Sequence, residues 1–371
     1  MSKSPKTPFW LCCGCKMTEN QKENKKNFVT LCVLCGKKFW LRLARVRDLR
    51  RILPGLVVSL IALTIVFYVV DWRDVITAFR QAEYTYLLLA LPIYLISYAL
   101  RALAWRTLLK EEASFKRVFL TMSAGYLLNN ILPFRLGELG RSFLLGRRGL
   151  RFWRVLSTIL IERSFDMILA AGLLLGTLPF VWGASQSRQV ALIVGCVVLI
   201  GLTALHLMAR CRDWAVAQFE KLSGRWPRVR KFGAERLSAF FDGLAVLVDF
   251  WRFLRVLGWM TLSWGLAIVY QYLLLLAFVP DASVLWAAFG LAVSAFGVAL
   301  PSSPGYVGVY EAAWIGALAL FGVPFSTALA YALVGHVAYV IVTGIFGAYA
   351  LTREGDTLGQ VYQSIRKRSF S

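Results

Sequence analysis

The sequence predicts an all-α polytopic membrane protein with about six full transmembrane helices and two interrupted, re-entrant hairpins related as an inverted repeat. Three observations carry that prediction. The 371 residues are 58% hydrophobic with a mean hydropathy of +0.62, and several apolar runs reach the roughly 20 residues that cross a hydrocarbon core. Arg and Lys collect in alternate connections between those runs, the positive-inside pattern. Two apolar stretches are broken by Pro and Gly at corresponding places, a mark of transporter repeats with a site near the midplane.

The net charge of +22 does not point to nucleic acid. The basic residues lie in the connections, where they face anionic headgroups, and no basic-aromatic module is present. Residues 1–50 are too polar and basic to supply the apolar core of a signal peptide. The first long apolar run, Ile52 to Val70, is therefore expected to stay in the membrane behind a cytoplasmic N-terminus.

The remaining elements follow in order. "DWRDVITAFRQAE" after Val70 has no basic excess and reads as a short external loop. A second helix at about 84–109 returns to Lys110, Lys116 and Arg117. The next apolar segment, 118–133, is short and flanked by basic residues on both sides. A full crossing would leave one basic flank outside, so a hairpin that enters and leaves on the cytoplasmic side is expected, its irregular backbone lining a wet cavity. Helices at about 155–182 and 189–210 follow, then a basic amphipathic segment, 211–252, on the cytoplasmic face. A helix at about 253–279 leads to two short apolar segments, 284–300 and 306–321, split by "PSSPG". A last helix at about 325–351 ends in a tail with Arg366, Lys367 and Arg368. The expected domains are a cytoplasmic cysteine-containing extension (1–51), the transmembrane domain (52–352) and a cytoplasmic tail (353–371). The expected location is the inner, cytoplasmic membrane of a bacterial-type cell, with both termini cytoplasmic.

The interrupted segments read "ILPFRLGELGRS" and "ALPSSPGYVGVYEAA". Each has a Leu-Pro helix end, a Gly-containing turn and then a Glu, Glu138 or Glu311, at the start of a new apolar stretch. In the first, Pro133 ends one arm and Gly137 allows the turn. Two unrelated helix-breaking loops are the competing reading.

Charged residues inside apolar segments are costly and face protein, water or each other. Glu162 and Asp166 are four apart and share a helix face, available to Arg135, Arg141 or Arg163. They form either a structural ion-pair cluster or part of a headgroup site. In the second reading the three arginines hold a phosphate diester, as Arg does in bidentate fashion. Glu138, Glu162 and Asp166 then orient the arginines or meet a cationic headgroup, and free backbone N–H groups near Gly137 add an anion site. In the other half, Pro301, Pro304, Gly305 and Gly308 break the backbone, and His336 could approach Glu311. A hydrogen-bonded packing role is the alternative for that histidine.

Cys12, Cys15, Cys32 and Cys35 have the spacing C-x2-C-x16-C-x2-C, which fits a structural zinc site in a reducing compartment. Against it, residues 1–41 hold eight Lys and no Arg while residues 42–371 hold 29 Arg and five Lys. That shift reads as a segment of different origin, such as a start site assigned too far upstream, and the polar interior "KMTENQKENKKNFVT" reads as disorder. No other cofactor is expected: hydrolase elbows, Walker loops and dinucleotide fingerprints are absent.

"NNILPFRLGELGRS", "IERSFDMIL" and "LPSSPGYVGVYEAA" together resemble the motifs of the lysyl-phosphatidylglycerol synthase transmembrane-region family, also called flippase-like membrane proteins. The resemblance covers about residues 50–352. It implies a helical membrane domain with two re-entrant segments; the best-known members join it to a soluble aminoacyl transferase and move the aminoacylated lipid across the bilayer. It places functional motifs at Asn129, Pro133, Arg135, Gly137, Glu138 and Arg141, at Glu162, Arg163 and Asp166, and at Pro304, Gly305, Gly308 and Glu311. The family often has Gly-Gly where this chain has Gly305-Tyr306, which puts a tight backbone approach there in doubt. About 20 residues follow the apolar domain, so lipid aminoacylation by this chain alone is not expected.

The leading functional expectation is a flippase for a phospholipid or polyprenyl-linked headgroup, with Glu138, Glu311 and His336 as proton-coupling candidates. The alternatives are a glycosyltransferase or other transferase acting on polyprenyl-phosphate lipids, or an accessory subunit of a lipid-synthesis complex. Expected partners are membrane lipids, with either a second copy of the chain or a separate lipid-modifying enzyme.

Overall fold

The chain divides into two compact units, Met1–Arg51 and Ile52–Ser371. The computed structural model describes residues 46–132, 135–181, 187–223, 227–300 and 302–354. Pro133, Pro301, the four N-terminal cysteines of the zinc reading and the basic tail lie outside those residues.

Every regular element among the described residues is helical. The chain runs through α1 (Val46–Val69), α2 (Trp72–Gln81), α3 (Tyr84–Leu108), α4 (Phe115–Ile131), α5 (Leu136–Gly146), α6 (Phe152–Val181) and α7 (Ser187–Arg210). It continues through α8 (Arg212–Leu222), α9 (Pro227–Leu244), α10 (Phe250–Leu276), α11 (Val284–Ala299), α12 (Val309–Ala319) and α13 (Phe325–Glu354). Four of these, α3, α6, α10 and α13, are long and apolar enough to cross a membrane, and Val57–Val69 and α11 are shorter apolar helices. Their outward faces carry exposed Leu60, Phe67, Leu88, Leu262 and Ile345. Apolar surface of that extent is covered by lipid in an integral membrane protein.

The expected loop after Val70 is instead the helix α2. Asp71 caps it by accepting the Arg73 N–H at 2.8 Å, satisfying one of the free donors of the first turn, and Val75 buries the inner face. Counting charges identified the connection and missed its helical period. The amphipathic segment after Arg210 forms two helices, α8 and α9.

Packing relates two sets of four consecutive helices. α3–α4–α5–α6 measure 25, 17, 11 and 30 residues; α10–α11–α12–α13 measure 27, 16, 11 and 30. α3 and α10 pack on each other. α4 packs on α5 and on α13; the corresponding α11 packs on α12 and on α6. α5 contacts α6 as α12 contacts α13. Exchanging the two sets leaves these contacts unchanged, the behaviour of a two-fold internal repeat. Each long helix, α6 or α13, thereby touches both hairpins, and the two helix breaks meet between them.

Candidate functional site

The first break turns at Arg135, whose φ of 52° is left-handed, a conformation that a non-glycine residue adopts at a cost of about 1–2 kcal/mol. Gly137 does not make the turn, contrary to the sequence expectation. It lies inside α5, where a Cβ would stand 1.9 Å from the Gly125 carbonyl oxygen of α4. Glycine is required there because the two arms of the hairpin touch backbone to backbone. Asn129 Oδ1 accepts the Gly137 N–H at 2.8 Å, satisfying one free donor of the α5 terminus.

Beyond the turn lies a network of charges. Arg141, buried, donates to Glu162 Oε2 at 2.6 Å, and its guanidinium carbon stacks 3.8 Å from the centre of the Trp105 ring. That contact gives a desolvated cation about 2 kcal/mol while leaving Nε and Nη1 without hydrogen bonds. Arg163 reaches Asp166 at 3.1 Å and Glu138 at 3.0 Å. Its Nε has no aligned hydrogen bond, so the contact with Glu138 is an ion pair only. Trp264 Nε1 donates to Asp166 at 3.1 Å. The third cation is Arg101, not Arg135: it bonds Glu162 at 3.1 Å and also Asp166. Three arginines and three carboxylates balance in a low-dielectric interior where an unpaired charge would be expensive.

The second break uses three residues with positive φ, Gly305 (71°), Tyr306 (63°) and Gly308 (88°). Tyr306 therefore takes the left-handed turn that a second glycine would take more easily. Glu311 Oε2 accepts the Gly308 N–H at 2.7 Å. His336 Nδ1 lies 2.5 Å from Glu311 Oε1 and Nε2 lies 2.7 Å from the Gly305 carbonyl oxygen. Ser59 of α1 accepts the Ser303 N–H at 2.9 Å.

Between the breaks is a cavity of about 160 Å³, several times the ~30 Å³ share of one water in the liquid. Asn129, Leu132 and Arg135 line it from the first break, and Ser302, Ser303 and Tyr306 from the second. Arg135 sits 5.5 Å over the Tyr306 ring, and no carboxylate among the described residues pairs with it. Its Nε and the Ser302 hydroxyl are buried without partners. The cavity thus carries one uncompensated cation and free polar groups.

The Lysylphosphatidylglycerol synthase TM region family matches residues 52–347, the first helix set entire and the second as far as the last two turns of α13. The chain belongs to that family. A curated relative, "Glycosyltransferase AglD" of Haloferax volcanii, is 26% identical over 386 aligned residues, with 90% of this chain and 60% of the relative covered. The chain thus spans about 60% of that relative's length.

Of the sequence-selected residues in this family member, Asn129, Arg135, Gly137, Glu138, Arg141, Glu162, Arg163 and Asp166 gather around the first break. Pro304, Gly305, Gly308, Glu311 and His336 gather around the second. The sequence reading missed Arg101, Trp105, Trp264 and Ser59. Arg101 stands in "YALRALAWR" and reads as the basic end of a helix, yet it lies a full two turns inside α3. Its distance from the helix end was the available signal. Among the described residues no cluster of metal ligands occurs.

Proposed function

We propose that this chain moves an amphipathic lipid with a phosphate-bearing headgroup between leaflets of the cytoplasmic membrane. In this reading α4–α5 and α11–α12 are re-entrant hairpins entering from opposite faces. The observation that carries it is Arg135, an unpaired cation in a cavity shared by both helix breaks. A phosphate diester supplies the missing charge and accepts from the arginine fork, the Ser302 hydroxyl and the α5 N-terminus, while the acyl chains remain in lipid. Exchange of conformations between two equivalent helix sets is the natural route to alternating access. The test is translocation of headgroup-labelled phosphatidylglycerol in proteoliposomes. Wild type should move the lipid, and Arg135→Gln should reduce the rate about tenfold or more, the equivalent of about 1.4 kcal/mol. Equal rates for the two would overturn the assignment of the site.

The relative's name supports a second reading, transfer of a sugar on a polyprenyl-phosphate lipid. That chemistry requires a general base. The carboxylates Glu138, Glu162 and Asp166 are all ion-paired with arginines, which favours transport. Sugar transfer from a polyprenyl-phosphate donor by the purified chain would reverse that preference.

A further inference from the structure

The two helix sets place an acid–base pair at equivalent positions. Glu138 is the third residue of α5 and Glu311 the third residue of α12. Arg163 is the twelfth residue of α6 and His336 the twelfth residue of α13. In each set the acid at the start of the second arm meets the base on the following long helix, at 3.0 Å in the first and 2.5 Å in the second. One pair contains a guanidinium, which stays charged in proteins. The other contains an imidazole, which can hold one proton or two.

We propose that Glu311 and His336 bind one exchangeable proton and are the coupling site of the transport cycle, the titratable counterpart of the fixed Glu138–Arg163 pair. The coupling half of this proposal rests on the transport reading above; the proton site itself does not.

The hydrogen-bond geometry sets the proton count. The Gly305 carbonyl can only accept, so Nε2 of His336 carries a hydrogen and donates to it. Glu311 Oε2 already accepts from the Gly308 N–H. The 2.5 Å contact between Nδ1 and Oε1 then requires one proton between them, as imidazolium with carboxylate or as neutral imidazole with carboxylic acid. Release of that proton leaves a lone pair on Nδ1 facing a carboxylate oxygen. The contact becomes repulsive and opens, and the hold of His336 on Gly305 loosens with it. Gly305 precedes Tyr306, the residue that carries Arg135 on its ring and lines the cavity. Proton release is thereby connected to the anion cavity through two residues of backbone.

No fixed charge among the described residues competes for this pair. The titratable groups facing it are tyrosines: Tyr310 on α12, 4.9 Å from the imidazole between ring centres; Tyr339 on α13 at 6.4 Å; and Tyr306 in the turn. Tyr126 of α4 stands behind Tyr339, and α10 contributes Leu274 beside Gly335 and Tyr270 further out. α1 presents the Ser59 carbonyl and Leu63 against Gly308. Beyond these rings the charges belong to the first break: Arg135 over Tyr306, Arg141 over Tyr126, and Arg163 and Glu138, whose fields reach Tyr306.

Glu311→Gln is the informative variant. Its carboxamide oxygen can accept from Gly308 while its N–H₂ donates to Nδ1, so the turn keeps its bonds with no exchangeable proton. The chain has two histidines, and His206→Gln isolates the signal of His336. Full-length ¹⁵N-histidine protein in lipid nanodiscs should show His336 Nδ1 losing its proton contact as pH is raised. Glu311→Gln should show a neutral Nε2–H imidazole throughout. In proteoliposomes with labelled phosphatidylglycerol, an imposed pH gradient should change the wild-type rate, and that response should be lost in Glu311→Gln. An imidazole that keeps one state at every pH in both proteins overturns the proton site. Lipid movement equally indifferent to the gradient in both overturns the coupling. A titrating site in a protein that moves no lipid upholds the proton site and overturns the transport reading.

Discussion

Arg141 and Glu162 meet at 2.6 Å with both side chains buried, and the guanidinium carbon of the arginine lies 3.8 Å from the centre of the Trp105 ring. This pair joins the second arm of the first hairpin to the long helix α6. Glu162 also receives Arg101 from α3, so one carboxylate holds three elements.

Removing that carboxylate's charge leaves two cations against a neutral amide. Glu162→Gln should destabilise the protein by about 3–5 kcal/mol, the usual consequence of unpairing a buried charge. Thermal unfolding in detergent, read beside the conservative Glu162→Asp, checks this. Equal stability of wild type and Glu162→Gln would mean that water reaches the cluster.

Arg101→Lys should fail to rescue what Arg101→Gln loses. The guanidinium spans Glu162 and Asp166 together, whereas an ammonium is a point charge with no fork. A loss of about 1–3 kcal/mol in both variants is expected, measured by the same unfolding assay.

Two glycines in helices should respond to alanine with opposite signs. Gly258 lies inside α10 with nothing near the position of a Cβ, so Gly258→Ala should stabilise by about 0.5–1 kcal/mol. At Gly137 the added Cβ meets the carbonyl of Gly125 at 1.9 Å, a backbone atom that cannot step aside. Gly137→Ala should destabilise by about 1–3 kcal/mol or more. Matched melting curves of the two variants decide it.

At the N-terminus of α10 the Asp249 carboxylate accepts the backbone N–H of Arg252, and that bond, with the Arg252 charge, holds its pKa below the ordinary carboxylate value. A lowered folded-state pKa contributes stability above the unfolded value that is lost as pH falls through the folded one. Protection of the amides of residues 250–252, taken relative to the unstructured-peptide exchange rate at the same pH, should therefore fall as pH drops through the lowered folded-state pKa of Asp249. In Asp249→Asn that acid dependence should disappear.

The apolar runs, the two breaks and the acids beside them could be read from the sequence because each leaves a local mark. A long hydrophobic run, a Pro, a Gly or a charge among aliphatics needs no partner to be seen. Partner choice leaves no such mark. Arg135 stands at a helix break and Arg101 two turns inside α3, and only packing shows that Arg101 enters the carboxylate cluster while Arg135 faces the cavity. Gly137 likewise looks like a turn residue, because close backbone contact with Gly125, twelve positions earlier, is a tertiary fact. The correspondence of Arg163 with His336 was hidden because the two side chains differ in chemistry, and helix boundaries were needed to align them.

The second arms of both hairpins, α5 and α12, have 11 residues each, about 16 Å at 1.5 Å per residue. Set in a hydrocarbon layer about 30 Å thick, arms entering from opposite faces would bring their tips together near its middle. An anion resting on Arg135 would then have crossed about half of the membrane voltage. Each half-journey would exchange about 1.2 kcal/mol per charge at 100 mV with the field. Entry and exit of a charged headgroup would each feel about half of the potential, with the same sign in both for one direction of movement.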